Sequence, residues 1–261
     1  MARSTYFYHV KCRKDKYEDV RRRIAELYEE HKGRYGYRRV HMALRAEGWL
    51  INHKTVARLM SEMGLKGQRK ARKYRSYKGT VGKTAPNILE RDFSASGPCQ
   101  KWATDVTQIN IKDQKCYLSP ILDMWNGEII SYTISDSPNL RMVTEMLRKA
   151  FLKVRNLKGL IMHSDQGWHY QHSEFQAILK SHDIRQSMSR KGNCLDNSMM
   201  ENFFGLMKNE LLYINTFETI ESFKNALREY IEYYNRKRIK LRLKTSPVTY
   251  REQFLKVNQQ L

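Results

Sequence analysis

The sequence predicts an α/β fold, a mixed sheet with helices on both faces, preceded by a small all-α domain. Three observations carry this. Residues 101–134 hold three runs rich in Ile, Val, Tyr, Thr and Trp separated by short turns. Residues 140–188 alternate helical and strand patterns, and residues 15–63 show helical spacing alone.

The first helix is expected from about Asp15 to His31, with Val20, Ile24, Leu27 and Tyr28 on one face and Gly33 and Gly36 ending it. A second spans Tyr37–Glu47, burying Val40, Ala43 and Leu44, and stops at Gly48. Asn52 reads as the N-cap of a third, through Met63, with Val56, Leu59, Met60 and Met63 inward and Gly64 closing it. Helix, turn and helix on a basic background fit a helix-turn-helix module, although a purely structural bundle has the same pattern. Its candidate DNA contacts are Arg38, Arg39, Lys54 and Arg58. Residues 66–85 carry eight Lys and Arg and no acid, with Tyr74 and Tyr77 interleaved. Nothing there repeats at a structural period, so the segment is expected to be a basic linker with Arg72 and Lys73 along phosphates.

Strands are expected at Lys101–Ile111, Cys116–Met124 and Glu128–Ile134, with turns at Lys112-Asp113-Gln114 and at the hairpin pair Asn126-Gly127. A helix Leu140–Val154 presents Val143, Leu147, Ala150 and Phe151 on one face. Next come a strand Leu160–His163, a helix Ser173–His182, a strand Ile184–Met188 and long helices at Asn197–Tyr213 and Ile220–Asn235.

The chain has 261 residues, 41% hydrophobic and 29% charged, which suffices for a sizeable core. Its 48 Lys and Arg against 27 Asp and Glu leave a net charge of +21 and call for a polyanionic partner, nucleic acid or an acidic membrane surface. Residues 1–85 hold +15 of it (23 basic, 8 acidic). No apolar run approaches the roughly 18 residues of a membrane span, and no signal peptide is evident. The cysteines, Cys12, Cys99, Cys116 and Cys194, form no CxxC pair, so a reducing cytosol is the expected compartment. His163, His169 and His172 match no common zinc spacing.

Phosphodiester chemistry on a basic chain directs attention to acids at element ends, because hard divalent cations take carboxylate oxygens. Asp105 falls within a strand, where a charge is costly unless it binds a cation or is paired. Asp165 closes a buried strand, the end at which open α/β sheets place ligands. Glu201 borders the apolar stripe Met200, Phe203, Phe204 and Met207 of its helix. Asp123 competes for the first position but suits a turn. Asp196 is expected to cap the helix that follows. Glu210 lies nine positions after Glu201, half a turn round the helix, and is expected to be solvated. The basic run Arg236–Lys244 reads as a solvated helix end or a DNA contact, with Arg236 and Arg238 as candidates.

From Lys101 to about Arg251 the sequence resembles the retroviral-integrase-type core of DDE transposases. Thirty-five residues separate Asp165 from Glu201, and Lys208 follows seven positions later. His-Ser-Asp-Gln-Gly (163–167), Arg-Lys-Gly-Asn-Cys-Leu-Asp-Asn (190–197), Glu-Asn-Phe-Phe (201–204), Tyr-Tyr-Asn (233–235) and Ser-Pro-Val (246–248) are similar to the insertion-sequence transposases of the IS-three family. Gly-Arg-Tyr-Gly-Tyr-Arg-Arg (33–39) and Ile-Asn-His-Lys-Thr-Val (51–56) resemble the helix-turn-helix that precedes the core there. The zinc-binding His/His/Cys/Cys module of retroviral integrases has no counterpart in the sequence. The resemblance implies an RNase H-like five-stranded core at 91–215, after a helix-turn-helix domain at 1–65 and a linker at 66–90, with a helical basic extension at 216–261.

The same resemblance implies metal-dependent cleavage at transposon ends and strand transfer by the freed 3′-hydroxyl. Asp105, Asp165 and Glu201 would hold two Mg²⁺, with Mn²⁺ as a substitute, and Lys208, Arg190 and Lys191 would contact DNA. It further implies double-stranded DNA partners (ends and target), a homo-oligomer on paired ends, either action alone or a fusion or partnership with an upstream-frame protein, and a nucleoid-associated bacterial cytoplasmic setting. A non-catalytic DNA-binding regulator, or a partial product that only occupies ends, accounts for the basic patches equally well but needs none of the three acids.

Overall fold

The protein is described by a computed structural model covering residues 3, 15–68, 84–190 and 194–258. It divides into two compact units, Met1–Arg69 and Lys70–Leu261. The first consists, among its described residues, of α1 (Glu18–Glu30), α2 (Tyr37–Ala46) and α3 (His53–Glu62), each touching the other two. Val20, Ile24, Leu27, Val40, Leu44, Val56, Leu59 and Met60 make the core that their spacing predicts, with Tyr35 added. Tyr28 and Met63 are only half-buried, and the Tyr28 hydroxyl donates to the Lys66 carbonyl at 2.8 Å. Asn52 caps α3, its side chain accepting the Lys54 N–H at 2.8 Å. Gly48, at φ +91°, turns the chain out of α2 so that the Trp49 N–H reaches the Leu44 carbonyl. The Arg23 fork grips Glu47 at 2.8 and 2.6 Å, and Arg21 bridges Asp15 and Glu62.

The second unit is built on β1 (Lys101–Thr104), β2 (Thr107–Ile111), β3 (Gln114–Asp123), β4 (Ile129–Ser135), β5 (Ile161–Ser164) and β6 (Arg185–Met188). One expectation needs correction: the strand Lys101–Ile111 is broken at Asp105 and Val106, so Asp105 sits in a gap and not within a strand. The register against β3 is nevertheless the same on both sides, Thr104 facing Ile121 and Thr107 facing Leu118. Asp105 therefore falls opposite Pro120, which has no N–H for the ladder. Counting β1 and β2 as one interrupted strand gives five. β4, β3 and β1/β2 are antiparallel neighbours, and β5 and β6 continue in parallel beyond β1.

Helices cover both faces. α4 (Leu140–Lys153) and α6 (Ser173–Ser181) pack Val143, Met146, Leu147, Phe175 and Leu179 against Trp102, Ile121 and Met162. α7 (Ser198–Met207) and α8 (Ile220–Arg236) pack Met200, Phe203, Phe204, Leu227 and Tyr234 against Ala103, Leu118 and Leu122. Adjacent Trp102 and Ala103 serve opposite faces, as the pleat requires. A short helix, α5 (Trp168–Gln171), lies between β5 and α6. α7 does not run to Tyr213 as a regular helix. It follows a 3₁₀ turn at Cys194–Asn197 and widens into a π turn at Lys208–Leu212.

That widening and the packing of α8 overturn two expectations. Glu210 is buried and not solvated, accepting from the Tyr230 hydroxyl at 3.1 Å. Arg238 is its partner, donating from Nε and Nη2 at 2.8 and 2.6 Å. Only 2% exposed, Arg238 is withdrawn as a DNA contact. The rest of the basic run keeps Arg236, Lys237, Arg242 and Lys244 exposed. It folds back onto the β3–β4 hairpin tip, followed by α9 (Pro247–Asn258), which opens with Pro at its first position. Arg242 donates to the Trp125 carbonyl, Asn235 pairs both ways with the Ile129 backbone at 2.9 Å, and Arg251 pairs with Glu128. Trp125 lies between Tyr250 and Phe254. Among the described residues, no helix is long and apolar enough to cross a membrane.

Candidate active site

Strand register brings two of the three acids to one level. β1 and β5 run parallel with Ala103 opposite His163, so Asp105 and Asp165, each two residues further on, leave the same end of adjacent strands. Such strands lie about 4.8 Å apart. Asp105 has the parity of Ala103, the residue facing α7, and α7 carries Glu201 and touches β1. The side-chain amide of Asn197 donates to the Thr104 carbonyl at 3.3 Å, fastening the start of α7 to the residue before Asp105.

The charges respond to this crowding. Burial pushes the Asp105 carboxyl well above its ordinary value, and Asp165 and Glu201 push it further. The Val106 N–H, 2.7 Å from its Oδ1, and the Lys208 ammonium act the other way. Asp165 is raised by burial, against the Gly167 N–H at 2.8 Å and His169. Burial also raises Glu201 and lowers Lys208, whose charge Asp105 favours. Among the described residues, no group of three His, Cys, Asp or Glu closes tightly enough to hold an ion as the chain stands. The donor chemistry nonetheless fits a hard cation: Asp105 lies in the field of both Asp165 and Glu201, and two of the three carboxylates are level on a sheet end.

The competing acid has other work. Asp123, fully buried at the opposite end of β1, accepts the Cys99 and Trp125 N–H groups at 2.8 and 3.0 Å, and burial pushes it up to about 6. The histidines are likewise engaged. His163 lies between the Ser187 and Ser189 hydroxyls, burial lowering it to about 4. His169 donates to the Pro138 carbonyl, and His172 accepts the Glu174 N–H.

Of the expected DNA contacts, Lys208 lies beside Asp105. Arg190 is committed to Asp196 through its N–H, Nε and Nη2. Arg38 and Lys54 are exposed, Arg39 lies over the Tyr35 ring, Arg58 pairs with Glu62, and Arg236 pairs with Glu232. Lys191, Arg72 and Lys73 fall outside the described residues. Asp196 corrects an expectation: it lies inside the 3₁₀ turn and does not cap α7, whose N-cap residue is Asn197. Sequence reasoning also passed over Tyr170, whose buried hydroxyl lies near Thr104 and Ser119 and in the field of Asp105 and Asp165. Its place five residues after Asp165 was the available signal.

An integrase-type core following a small helical unit in the chain defines a class, the integrase-core proteins. Family models agree: an integrase core domain matches residues 95–194, a second integrase core model matches 201–255, and an HTH-like domain matches 14–73. The chain is 52% identical over 256 residues to transposase InsK for insertion sequence element IS150 of Escherichia coli (strain K12), covering 97% of this chain and 90% of that one. It is 36% identical over 216 residues to transposase InsF for insertion sequence IS3A of the same organism, covering 82% and 75%. In fold it is similar to a chain of the simian T-cell lymphotropic virus intasome solved with PP2A regulatory subunit B56 gamma, at TM-score 0.52 and 16% identity over 87% of this chain and 74% of that one. The chain belongs to the IS3-family insertion-sequence transposases.

Proposed function

We propose that this transposase cleaves DNA strands at the ends of its element and joins the freed 3′-hydroxyl to a target phosphate, with Asp105, Asp165 and Glu201 as metal ligands. What most supports the reading is the common level of Asp105 and Asp165 on parallel strands, facing the helix of Glu201. Two Mg²⁺ ions bound there, or Mn²⁺ in their place, would polarise the scissile phosphate and offset charge on the attacking and leaving oxygens. The acids hold their own negative charge poorly, as their raised carboxyl values reflect, and are therefore poised to take up cations. Lys208 supplies a fixed positive charge beside Asp105, suited to a backbone phosphate. No covalent bond between protein and DNA is required.

In this reading residues 1–65 bind the element ends through α2 and α3, 66–90 link, 91–215 catalyse, and 216–261 support the core. The working form is a homo-oligomer on paired ends in a bacterial cytoplasm, acting on double-stranded end and target DNA, alone or fused to an upstream-frame protein. The test is Mg²⁺-dependent cleavage of end DNA. Asp105→Asn, Asp165→Asn and Glu201→Gln should each abolish cleavage while end binding persists. A variant that cuts at the wild-type rate would remove its residue from the set. A wild-type chain that binds ends and never cuts, fused or alone, would instead indicate a regulator.

A further inference from the structure

Asp196 and Asn197 stand just before α7. The Asp196 carboxylate is buried, 1% exposed, and accepts five hydrogen bonds. They come from Asn87 Nδ2 (3.2 Å), Arg91 Nε (2.9 Å), and the Arg190 N–H, Nε and Nη2 (3.1, 3.0 and 3.1 Å). Arg190 foremost, opposed by burial and joined by Arg91, holds this carboxyl far below the usual range. Asn87 and Arg91 belong to the stretch running beside β6, where the Ile88 N–H reaches the Ser187 hydroxyl and the Met188 N–H reaches the Pro86 carbonyl. Three chain segments therefore meet on one carboxylate. Asn197 adds the bond to the Thr104 carbonyl, one residue before Asp105. Glu201 is one helical turn further on, on the face of Asn197. Its own carboxylate makes no hydrogen bond among the described residues, so its place is set by the helix that carries it.

We propose that Asp196 and Asn197 are positioning residues: a latch that fixes the start of α7 and so sets Glu201 against Asp105 for metal binding. The inference rests on the three-acid reading above. Asp196 supplies the anchor to the surrounding segments, and Asn197 supplies the register with β1. Neither needs to touch metal or DNA. Loosening the latch would lower metal affinity while leaving the DNA-binding surfaces intact.

The experiment titrates Mg²⁺ in two assays on the full chain: cleavage of end DNA, and the rise in melting temperature without DNA. Asp196→Asn should raise the Mg²⁺ midpoint of cleavage about tenfold or more, in the range that outer-shell changes produce. It should shrink the Mg²⁺-induced rise in Tm and leave end-DNA affinity unchanged. A purely structural role would lower Tm and the active fraction without moving the Mg²⁺ midpoint. Asn197→Ala removes only the tie to Thr104, keeps both arginine pairs, and should shift the midpoint in the same direction. It decides the matter if Asp196→Asn fails to fold. A folded variant of either kind that titrates like wild type overturns the latch. If wild type does not cut but its Tm responds to Mg²⁺, the melting assay alone decides. If wild type neither cuts nor responds, the three-acid reading falls and the latch with it.

Discussion

Asp105 is held where ionisation is unfavourable, and this has a stability consequence of definite sign. Its folded carboxyl lies above the ordinary value, so its stabilising contribution is full at low pH and is lost as pH rises through the raised value. In metal-free buffer Asp105→Asn should therefore melt above wild type, with a gain near zero around pH 4 that grows toward pH 7. Melting curves in chelator across that range check this, and a pH-independent or negative change would contradict it. Glu210 and Arg238 make the opposite case. Arg238→Ala strands a buried carboxylate and should cost about 3–5 kcal/mol, read by denaturant unfolding. Replacing both with apolar residues should cost less. As candidates, Asp165 and Glu201 stand out in the sequence as carboxylates at element ends of a basic chain, and Asp105 as a charge read inside a strand. Glu210 was misjudged because the count from Glu201 assumed a regular helix, and the π turn at Lys208–Leu212 breaks that count. Asp196 reads as a cap because two of its ties, to Asn87 and Arg91, join residues more than 100 positions apart and leave no local pattern.

Among elements, the hairpin tip is secured by several ties from the C-terminal segment. Gly127 has φ +74°, and an added Cβ would stand 1.7 Å from Lys240 Nζ. Gly127→Ala should destabilise by more than about 1 kcal/mol and loosen the C-terminal segment, visible as faster amide exchange at Ile129 and Trp125. An unchanged exchange pattern would mean that the segment docks independently of the tip. In the helical unit, Asn52→Ala removes the α3 cap and should cost about 1 kcal/mol. The periodicity of α1 to α4, α6 and α8, and the Asn-Gly turn, could be read directly from apolar spacing and glycine. α9 could not, because Pro247 and Val248 are its only buried positions and it shows no apolar stripe. Its Ser-Pro start was the one local cue.

On the scale of the whole molecule, the +21 charge is less available than its size suggests. Arg21, Arg23, Arg190, Arg238 and Arg251 are each paired to acids of the protein itself. Enough remains, with Arg38 and Lys54 exposed, to expect strong salt dependence. Affinity for end DNA should fall at least about a hundredfold between 50 and 200 mM salt, as neutralising several phosphates requires. An anisotropy titration that is flat in salt would contradict the electrostatic account. Composition made the polyanion legible from the outset. It could not tell which cations were already spent, because that depends on contacts between residues far apart in the chain.

Pro120 withholds one amide from the middle of the sheet, directly across from Asp105 and next to the register shift at Ile121 and Leu122. The ladder skips a bond at this point while the alternation carries on, Trp102 and Val106 serving one face and Ala103 and Ile109 the other. Substituting Pro120→Ala would offer the missing donor and let the two half-strands knit. The result should be a sturdier sheet in which the proposed first metal ligand has less room to adjust, read as a higher Tm beside slower Mg²⁺-dependent cleavage of end DNA.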